Sequence, residues 1–152
     1  MTAMQPASRS YVRLSMPGAD QLAAIPLFDA LNESQLEELA TWFDVQSTGE
    51  GVRLTGEGAA GYSFFVLAAG TAAVSVENVE IAALGPGDFF GEMAILGDGR
   101  RAATVTTTSP AKLLVLFGTE FRRLQQTYPE VATRITETMR QREDARRGAG
   151  AP

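Results

Sequence analysis

The chain contains neither cysteine nor histidine in its 152 residues. Without a thiolate or an imidazole it cannot form disulfides, and the cysteine- and histidine-based nucleophile, general-base and metal sites of many enzymes are excluded. Lys112 is the only lysine, and the formal net charge is −5. A nucleic-acid surface needs dense lysine and arginine, so the composition argues against direct DNA binding. Most familiar catalytic sets are therefore unavailable, and we predict no metal site and no enzymatic activity.

Long hydrophobic runs are also missing. Residues 64–69 form one of the longest apolar stretches, which is far short of the roughly 20 residues that a membrane-spanning helix needs. The first residues lack the charged and then apolar pattern of a secretory signal. We expect no membrane span in this chain and a cytoplasmic location.

The length and the 45% hydrophobic content fit one domain with a substantial core. The predicted divisions are a flexible leader at 1–19, a folded domain at 20–147 and a disordered tail at 148–152. Within the domain we predict a helix at 32–44, a barrel at 45–118 and C-terminal helices at 119–147. Asn32, followed three residues later by Gln35, is a capping-box start for the first of these helices.

The barrel is predicted from short apolar or alternating segments that glycines separate. The six predicted strands are 52–55, 62–67, 72–76, 80–84, 103–108 and 112–117. The sequence Gly85-Pro86-Gly87-Asp88 predicts a type II turn, because proline fits its second position and glycine its third. So many short strands in one segment imply a sandwich or a jelly-roll barrel.

After Gly118 the pattern becomes helical again. A short apolar face is followed by a break at Tyr128-Pro129, and proline suits the first turn of a second helix. The apolar stripe of that helix consists of Val131, Ala132, Ile135 and Met139.

One segment carries the clearest chemical signal. Residues 90–96 read Phe-Gly-Glu-Met-Ala-Ile-Leu, and residues 101–105 read Arg-Ala-Ala-Thr-Val. Small residues near Glu92 and Arg101 leave backbone amides accessible to an anion. The planar fork of arginine suits two phosphate oxygens, and an ionised carboxylate only accepts hydrogen bonds. Taken alone, such a pair is more often a plain surface ion pair than a ligand site.

The whole string resembles the phosphate-binding cassette of the cyclic nucleotide-binding domain family, and the resemblance extends over about residues 25–139. It implies an α+β fold, in which an antiparallel jelly-roll β-barrel (a double-stranded β-helix) is flanked by N-terminal and C-terminal helices. It also implies cAMP or cGMP as ligand, with no separate cofactor. The residues expected around phosphate and ribose are Gly91, Glu92, Met93, Ala94, Arg101, Ala102 and Ala103.

Within the cassette, Arg101 would pair with the phosphate and Glu92 would accept the ribose 2′-hydroxyl, while Gly91 permits a sharp bend. Many cGMP-selective members of the family have threonine after the arginine, so Ala102 favours cAMP. The chain departs from the family pattern at Arg100, where proline is frequent, and in the short connection at 77–79.

The purine pocket is less clearly marked. The resemblance to bacterial potassium-channel modules puts Arg142 where a lid over the purine is expected, although a basic residue also suits a solvated helix end. Met139 and Ile135 are apolar alternatives for that role. Val74 and Ile81 are candidate wall residues and equally suit ordinary barrel core.

These expectations describe a sensor that binds its ligand without chemistry and relays binding by moving the helix at 129–147 relative to 32–44. Its partner would be an effector protein, an output domain or a second copy of the chain. One alternative is a degenerate module used for docking or dimerisation, with Glu92 and Arg101 paired to each other. A metal enzyme on a cupin-like barrel is disfavoured by the lack of histidine, and a catabolite-activator-type DNA regulator would need a helix-turn-helix that is missing here.

Overall fold

Residues 17–55, 63–91 and 103–150 are described by the computed structural model. Helices flank a central block of strands. They are α1 (Ala19–Ala23), a 3₁₀ turn (Pro26–Phe28), α2 (Glu33–Ala40), α3 (Gly118–Thr127) and α4 (Pro129–Gly150). The strands are β1 (Asp44–Thr48), β2 (Arg53–Thr55), β3 (Ser63–Ala69), β4 (Ala72–Val76), β5 (Val79–Leu84), β6 (Phe89–Phe90), β7 (Thr104–Thr107) and β8 (Ala111–Phe117).

The strands form two four-stranded sheets in which every pair of neighbours is antiparallel. The first sheet has the order β1-β8-β3-β6 and the second has the order β2-β7-β4-β5. The predicted antiparallel jelly-roll β-barrel with flanking helices is therefore confirmed.

Two apolar clusters lie on opposite faces of the first sheet. The helical core is built from the helices and one sheet face, and it includes Phe28, Phe43, Phe64, Phe89, Leu114, Phe121, Leu124, Val131 and Ile135. The barrel core lies on the other face and consists of Leu67, Ala72, Leu84, Phe90, Val105, Ala111, Leu113 and Val115. Adjacent residues of a strand point to opposite faces, so Phe89 enters the first cluster and Phe90 the second.

Two predicted local structures are confirmed. The Asn32 side chain accepts a hydrogen bond from the Gln35 amide at 2.9 Å, and the Gln35 side chain accepts one from the Asn32 amide at 2.9 Å. In the turn at 85–88, the Asp88 amide donates to the Gly85 carbonyl at 3.0 Å, and Gly87 has φ +93°. A positive φ at this position is what a type II turn requires.

The boundaries differ from the predicted ones in two places. The helix predicted at 32–44 ends at Ala40, because β1 begins at Asp44 and pairs with β8. Helix α4 continues to Gly150, so residues 148–150 are helical and the predicted tail is wrong for them. Residues 1–16 and 151–152 lie outside the described part of the chain.

Two strands were not predicted, and their sequences explain why. Strand β1 reads Asp-Val-Gln-Ser-Thr and is half-buried or exposed along its length, so it lacks an apolar signal. Strand β6 has only two residues. Among the described helices, none is long and apolar enough to span a membrane.

Candidate functional site

The predicted cassette connects the two sheets. Strand β6, at the edge of the first sheet, ends at Phe90, and the chain re-enters the second sheet at β7. Gly91 has φ +93°, a conformation that strongly favours glycine. The predicted need for glycine at this bend is confirmed. Glu92, Met93, Ala94, Arg101 and Ala102 lie outside the described residues, so their assigned roles stay predictions.

On the far side of the cassette, Ala103 meets the second sheet. Its carbonyl accepts a hydrogen bond at 3.3 Å from the hydroxyl of Thr55, which is buried. At the other end of β7, the buried hydroxyl of Thr107 donates to the Gly49 carbonyl at 2.7 Å. The first bond holds the residue that precedes β7 and the second holds the last residue of β7, so both ends of the strand that follows the cassette are fixed.

Aromatic packing supports the other end of the cassette. Phe90 stacks on Phe65 with ring centroids 4.9 Å apart and an interplanar angle of 12°. Phe89 contacts Phe64 on the opposite face of the sheet at 5.5 Å. Phe89 and Phe90 are both buried against β3, a contact that the sequence did not predict. Residues 64–69 of β3 are a continuous apolar run, which predicted a strand but not the strands with which it pairs.

The two candidate wall residues occupy different environments. Val74 packs against the barrel core and pairs with Val105 on β7 and Ala82 on β5. Ile81 is the extra residue of a bulge between the pairs Val74–Ala82 and Ser75–Glu80, and it is 45% exposed. A bulge re-aims the side chain it carries, often beside a binding site. Contact of either residue with a purine stays a prediction.

Arg142, the predicted lid, contacts the strand that leads into the cassette. Its Nη2 donates to the Phe89 carbonyl at 2.6 Å, and its guanidinium carbon lies 5.0 Å from the centre of the Phe89 ring. This combines a charge-assisted hydrogen bond with a cation–π contact. The structure thus brings Arg142 within two residues of Gly91.

The two apolar lid candidates are not equivalent. Ile135 is fully buried in the helical core, and that cluster is separate from the one against which Val74 packs. In this arrangement Ile135 is a core residue, and its contact with a purine stays a prediction. Met139, one turn further along α4, is half-buried, and its predicted role is untested.

The joint between α3 and α4 is fastened to α2, which the sequence did not predict. Tyr128, which ends α3, is 3% exposed, and its hydroxyl donates to Glu38 Oε1 at 2.5 Å. The centre of its ring lies 5.8 Å from the centre of the Trp42 ring. The guanidinium carbon of Arg123 lies over the Trp42 ring, 4.5 Å from its centre. The pKa of Tyr128 is raised from 10.0 to about 12, mainly because the hydroxyl is buried and also because it is bonded to the Glu38 carboxylate.

A second unforeseen contact fastens the beginning of α4. Arg134 Nη1 donates to the Pro26 carbonyl at 2.8 Å and pairs with Asp29 Oδ1 at 2.7 Å. The helix is therefore tied to the 3₁₀ turn.

The structure thus combines two antiparallel sheets, a glycine of positive φ where the chain leaves the first sheet, and a helix whose Arg142 contacts the strand before that glycine. The family model described as cyclic nucleotide-binding domain matches residues 46–128. This chain belongs to the cyclic nucleotide-binding domain family.

The relatives agree with this assignment. A cyclic nucleotide-gated potassium channel of Mesorhizobium japonicum is 35% identical over 131 residues, which are 86% of this chain and 35% of the channel. A cAMP-dependent protein kinase regulatory subunit of Hypocrea atroviridis is 33% identical over 103 residues, covering 68% of this chain and 22% of that protein. The chain therefore spans about a fifth to a third of these two relatives.

Solved structures support the fold. The catabolite activator protein of Thermus thermophilus superposes with a TM-score of 0.70 at 26% identity, covering 78% of this chain and 58% of that one. A structure described as cAMP-bound PfPKA-R superposes with a TM-score of 0.81 at 24% identity, covering 94% of this chain and 49% of that one.

Proposed function

We propose that this chain senses a cyclic nucleotide, prefers cAMP to cGMP, leaves its ligand chemically unchanged and relays binding through movement of α4. The observation that carries the proposal is the motif itself, since Glu92 and Arg101 are both present in a cassette that Gly91 opens with φ +93°. The related channel and kinase subunit are named as gated by a cyclic nucleotide and dependent on cAMP, respectively.

Each group of the ligand has a complementary group in the cassette. The guanidinium of Arg101 would bind two oxygens of the phosphodiester, aided by amides of Met93, Ala94, Ala102 and Ala103. The Glu92 carboxylate would accept the ribose 2′-hydroxyl, because an ionised carboxylate has no proton to donate. It would repel the phosphate, so the two charges must serve different parts of the ligand.

The ribose assignment can be tested with a cycle that combines one mutation and one ligand change. Calorimetry would compare cAMP with 2′-deoxy-cAMP on the wild-type chain and on Glu92→Gln. We expect the deoxy ligand to bind wild type at least about tenfold more weakly, since a hydrogen bond to a charged group is worth roughly 1.5–3 kcal/mol. The penalty should be smaller in Glu92→Gln, because the neutral amide oxygen still accepts the hydroxyl but in a weaker hydrogen bond of about 0.5–1.5 kcal/mol. An equal penalty in both proteins would mean that Glu92 does not bind the ribose.

The preference for cAMP rests on Ala102, which has no hydroxyl to meet the guanine amino group. Ala102→Thr should strengthen cGMP binding several-fold, because one added neutral hydrogen bond contributes about 0.5–1.5 kcal/mol. Its effect on cAMP should be small. Calorimetric titration of both nucleotides into both proteins measures this directly. An unchanged cGMP-to-cAMP ratio would remove Ala102 as the basis of selectivity.

The output requires a partner, which we propose is an effector protein, an output domain or a second copy of this chain. Helix α4 is the proposed relay because Arg142 contacts Phe89, two residues before the cassette, while the joint at Tyr128 contacts α2. A pull-down that compared cAMP-bound with ligand-free protein would recover different partners if the relay operates. The same proteins in both would contradict it.

A further inference from the structure

A cleft of about 390 Å³ lies between the 3₁₀ turn, the 85–88 turn and helix α4. Its apolar lining includes two exposed prolines, Pro26 and Pro86, together with Phe89. A Cβ atom added at Gly87 would lie 3.4 Å from the Cδ atom of Pro26, so the two turns meet in the cleft. Because proline has no amide hydrogen, this part of the cleft offers apolar surface that suits aliphatic or aromatic side chains.

Two exposed carboxylates line the same cleft. Glu137 lies on α4, and among the described residues its carboxylate has no hydrogen-bond or ion-pair partner. Asp88 accepts a hydrogen bond from the Gly85 amide at 2.8 Å with one oxygen, and the other oxygen can still accept. Arg134 also lines the cleft, but its guanidinium already pairs with Asp29 at 2.7 Å. The cleft therefore suits a segment that carries both positive charge and apolar side chains.

Residues 1–16, which precede the described structure, have this composition. Their only charged side chains are those of Arg9 and Arg13, and all 18 acidic residues of the chain lie outside this segment. Apolar residues such as Tyr11 and Leu14 lie beside the two arginines. The guanidinium of arginine presents several donors in a fork that matches a carboxylate. The segment therefore complements the cleft in charge and in apolar character.

The segment also joins the domain close to the cleft. Pro17 is buried, and α1 leads from it to the 3₁₀ turn that lines the cleft. Pro26 comes nine residues after Pro17, and five of these residues are helical, so the two prolines are at most about 25 Å apart. Residues 9 and 13 precede Pro17 by eight and four positions, which lets them extend about 13–28 Å from it. Both arginines can therefore reach the cleft.

We propose that residues 9–14 dock in this cleft of their own chain. The two arginines of the segment pair with Asp88 and Glu137, and its apolar side chains pack on Pro26 and Pro86. Tethering favours this segment over a free peptide, since a short linker holds it at a concentration on the order of millimolar. A partner protein that uses this face must displace the segment first. The docking needs no nucleotide, so it does not depend on the proposed function.

Paramagnetic NMR on the full chain tests the docking, since a chain without cysteine accepts a spin label at one chosen site only. The label is placed at Ser8→Cys, just outside the docking segment. The amide signals of residues 87–89 and 137–141, which border the cleft, should then lose intensity. Residues 77–78 lie at the opposite end of β5, about 20 Å from Leu84, and should keep most of theirs.

Charge variants test the proposed pairing. Arg9→Glu combined with Arg13→Glu should abolish the intensity loss, and adding Glu137→Arg should restore part of it. Glu137→Gln alone should lower the ratio of docked to free segment by up to about fivefold, the most that an exposed ion pair contributes. Glu130→Gln is the matched control, because it removes an exposed carboxylate from the first turn of the same helix and should change nothing. Raising the salt to about 1 M, where the screening length is roughly 3 Å, should also reduce the loss.

Three results would overturn the docking: no intensity loss, equal loss at the cleft and at residues 77–78, or a loss at the cleft that survives the exchange of both arginines for glutamate. A mixed sample distinguishes the chain's own segment from that of a second copy. It contains spin-labelled chain that is invisible to NMR and isotope-labelled chain that carries no spin label. The proposal expects no intensity loss in this mixture, and a loss at the cleft would assign the segment to another copy and overturn the docking within one chain.

Discussion

Removing the hydroxyl of Tyr128 tests how firmly the joint before α4 is fastened to α2. Tyr128→Phe keeps the ring beside Trp42 and deletes the hydrogen bond to Glu38. A hydrogen bond to a charged group contributes about 1.5–3 kcal/mol, and Glu38 is exposed, so water can replace the lost donor. We therefore expect the free energy of unfolding at pH 7 to fall by about 1–1.5 kcal/mol, at or just below the low end of that range.

The same residue predicts a dependence on alkaline pH. Burial and the Glu38 carboxylate raise the pKa of Tyr128 to about 12 in the folded state, from 10.0. Between these values the unfolded chain loses the proton and the folded chain keeps it, so stability falls as pH rises from 10 to 12. The contribution is complete below pH 10, and its loss amounts to at most about 2–3 kcal/mol.

Urea unfolding of wild type and Tyr128→Phe at pH 7 and from pH 9 to 12 measures both effects. The difference between the two proteins isolates Tyr128 from other groups that titrate in this range. Glu38→Gln should lose part of the same stability at pH 7, whereas Glu37→Gln, which changes an exposed neighbour on α2, should lose little. Equal stability of wild type and Tyr128→Phe at pH 7, with no relative loss above pH 10, would refute the reasoning.

Two further substitutions test the packing that positions the site. Ile135→Ala should destabilise the fold by about 2–5 kcal/mol and Ile135→Val by about 0.5–1.5 kcal/mol, because Ile135 is fully buried. Urea unfolding measures both values. A cost below about 1 kcal/mol for the alanine variant would mean that Ile135 is not part of the core. Gly70→Ala should cost more than about 1 kcal/mol, since Gly70 has φ +90° and an added Cβ would lie 2.8 Å from the Ala111 Cα and closer still to the Pro110 carbonyl oxygen. Gly49→Ala is its matched control, because nothing lies within 4 Å of a Cβ there, and equal losses in the two variants would contradict the steric argument.

The fold could be predicted from the sequence because its signals are local. Strand β8 is apolar almost throughout, and the Asn32 side chain accepts its capping hydrogen bond from Gln35, three residues away. The 85–88 turn is closed by a hydrogen bond between its own first and last residues. Strand β1 was missed because its residues are mostly polar and its place is set by pairing with β8. Register with a distant strand is a tertiary property that a local pattern does not contain.

The candidate site was predictable only in part, for the same reason. The positive φ of Gly91 follows from the motif, whereas the attachments of α4 join distant residues. Tyr128 and Glu38 are 90 positions apart, and Arg134 and Pro26 are 108 positions apart. The stripe that contains Ile135 showed which face of α4 is apolar, but not whether that face meets a ligand or the helical core.

The central claim is that Arg101 binds the phosphate of a cyclic nucleotide, and calorimetric titration of cAMP into wild type, Arg101→Ala and Arg100→Ala tests it most directly. We predict saturable binding to wild type, a loss of affinity of at least about tenfold in Arg101→Ala, and near wild-type affinity in Arg100→Ala. The neighbouring arginine controls for a general loss of positive charge. No heat from wild type with either cAMP or cGMP at two temperatures, or equal affinity in all three proteins, would contradict the account and favour a module that docks proteins instead.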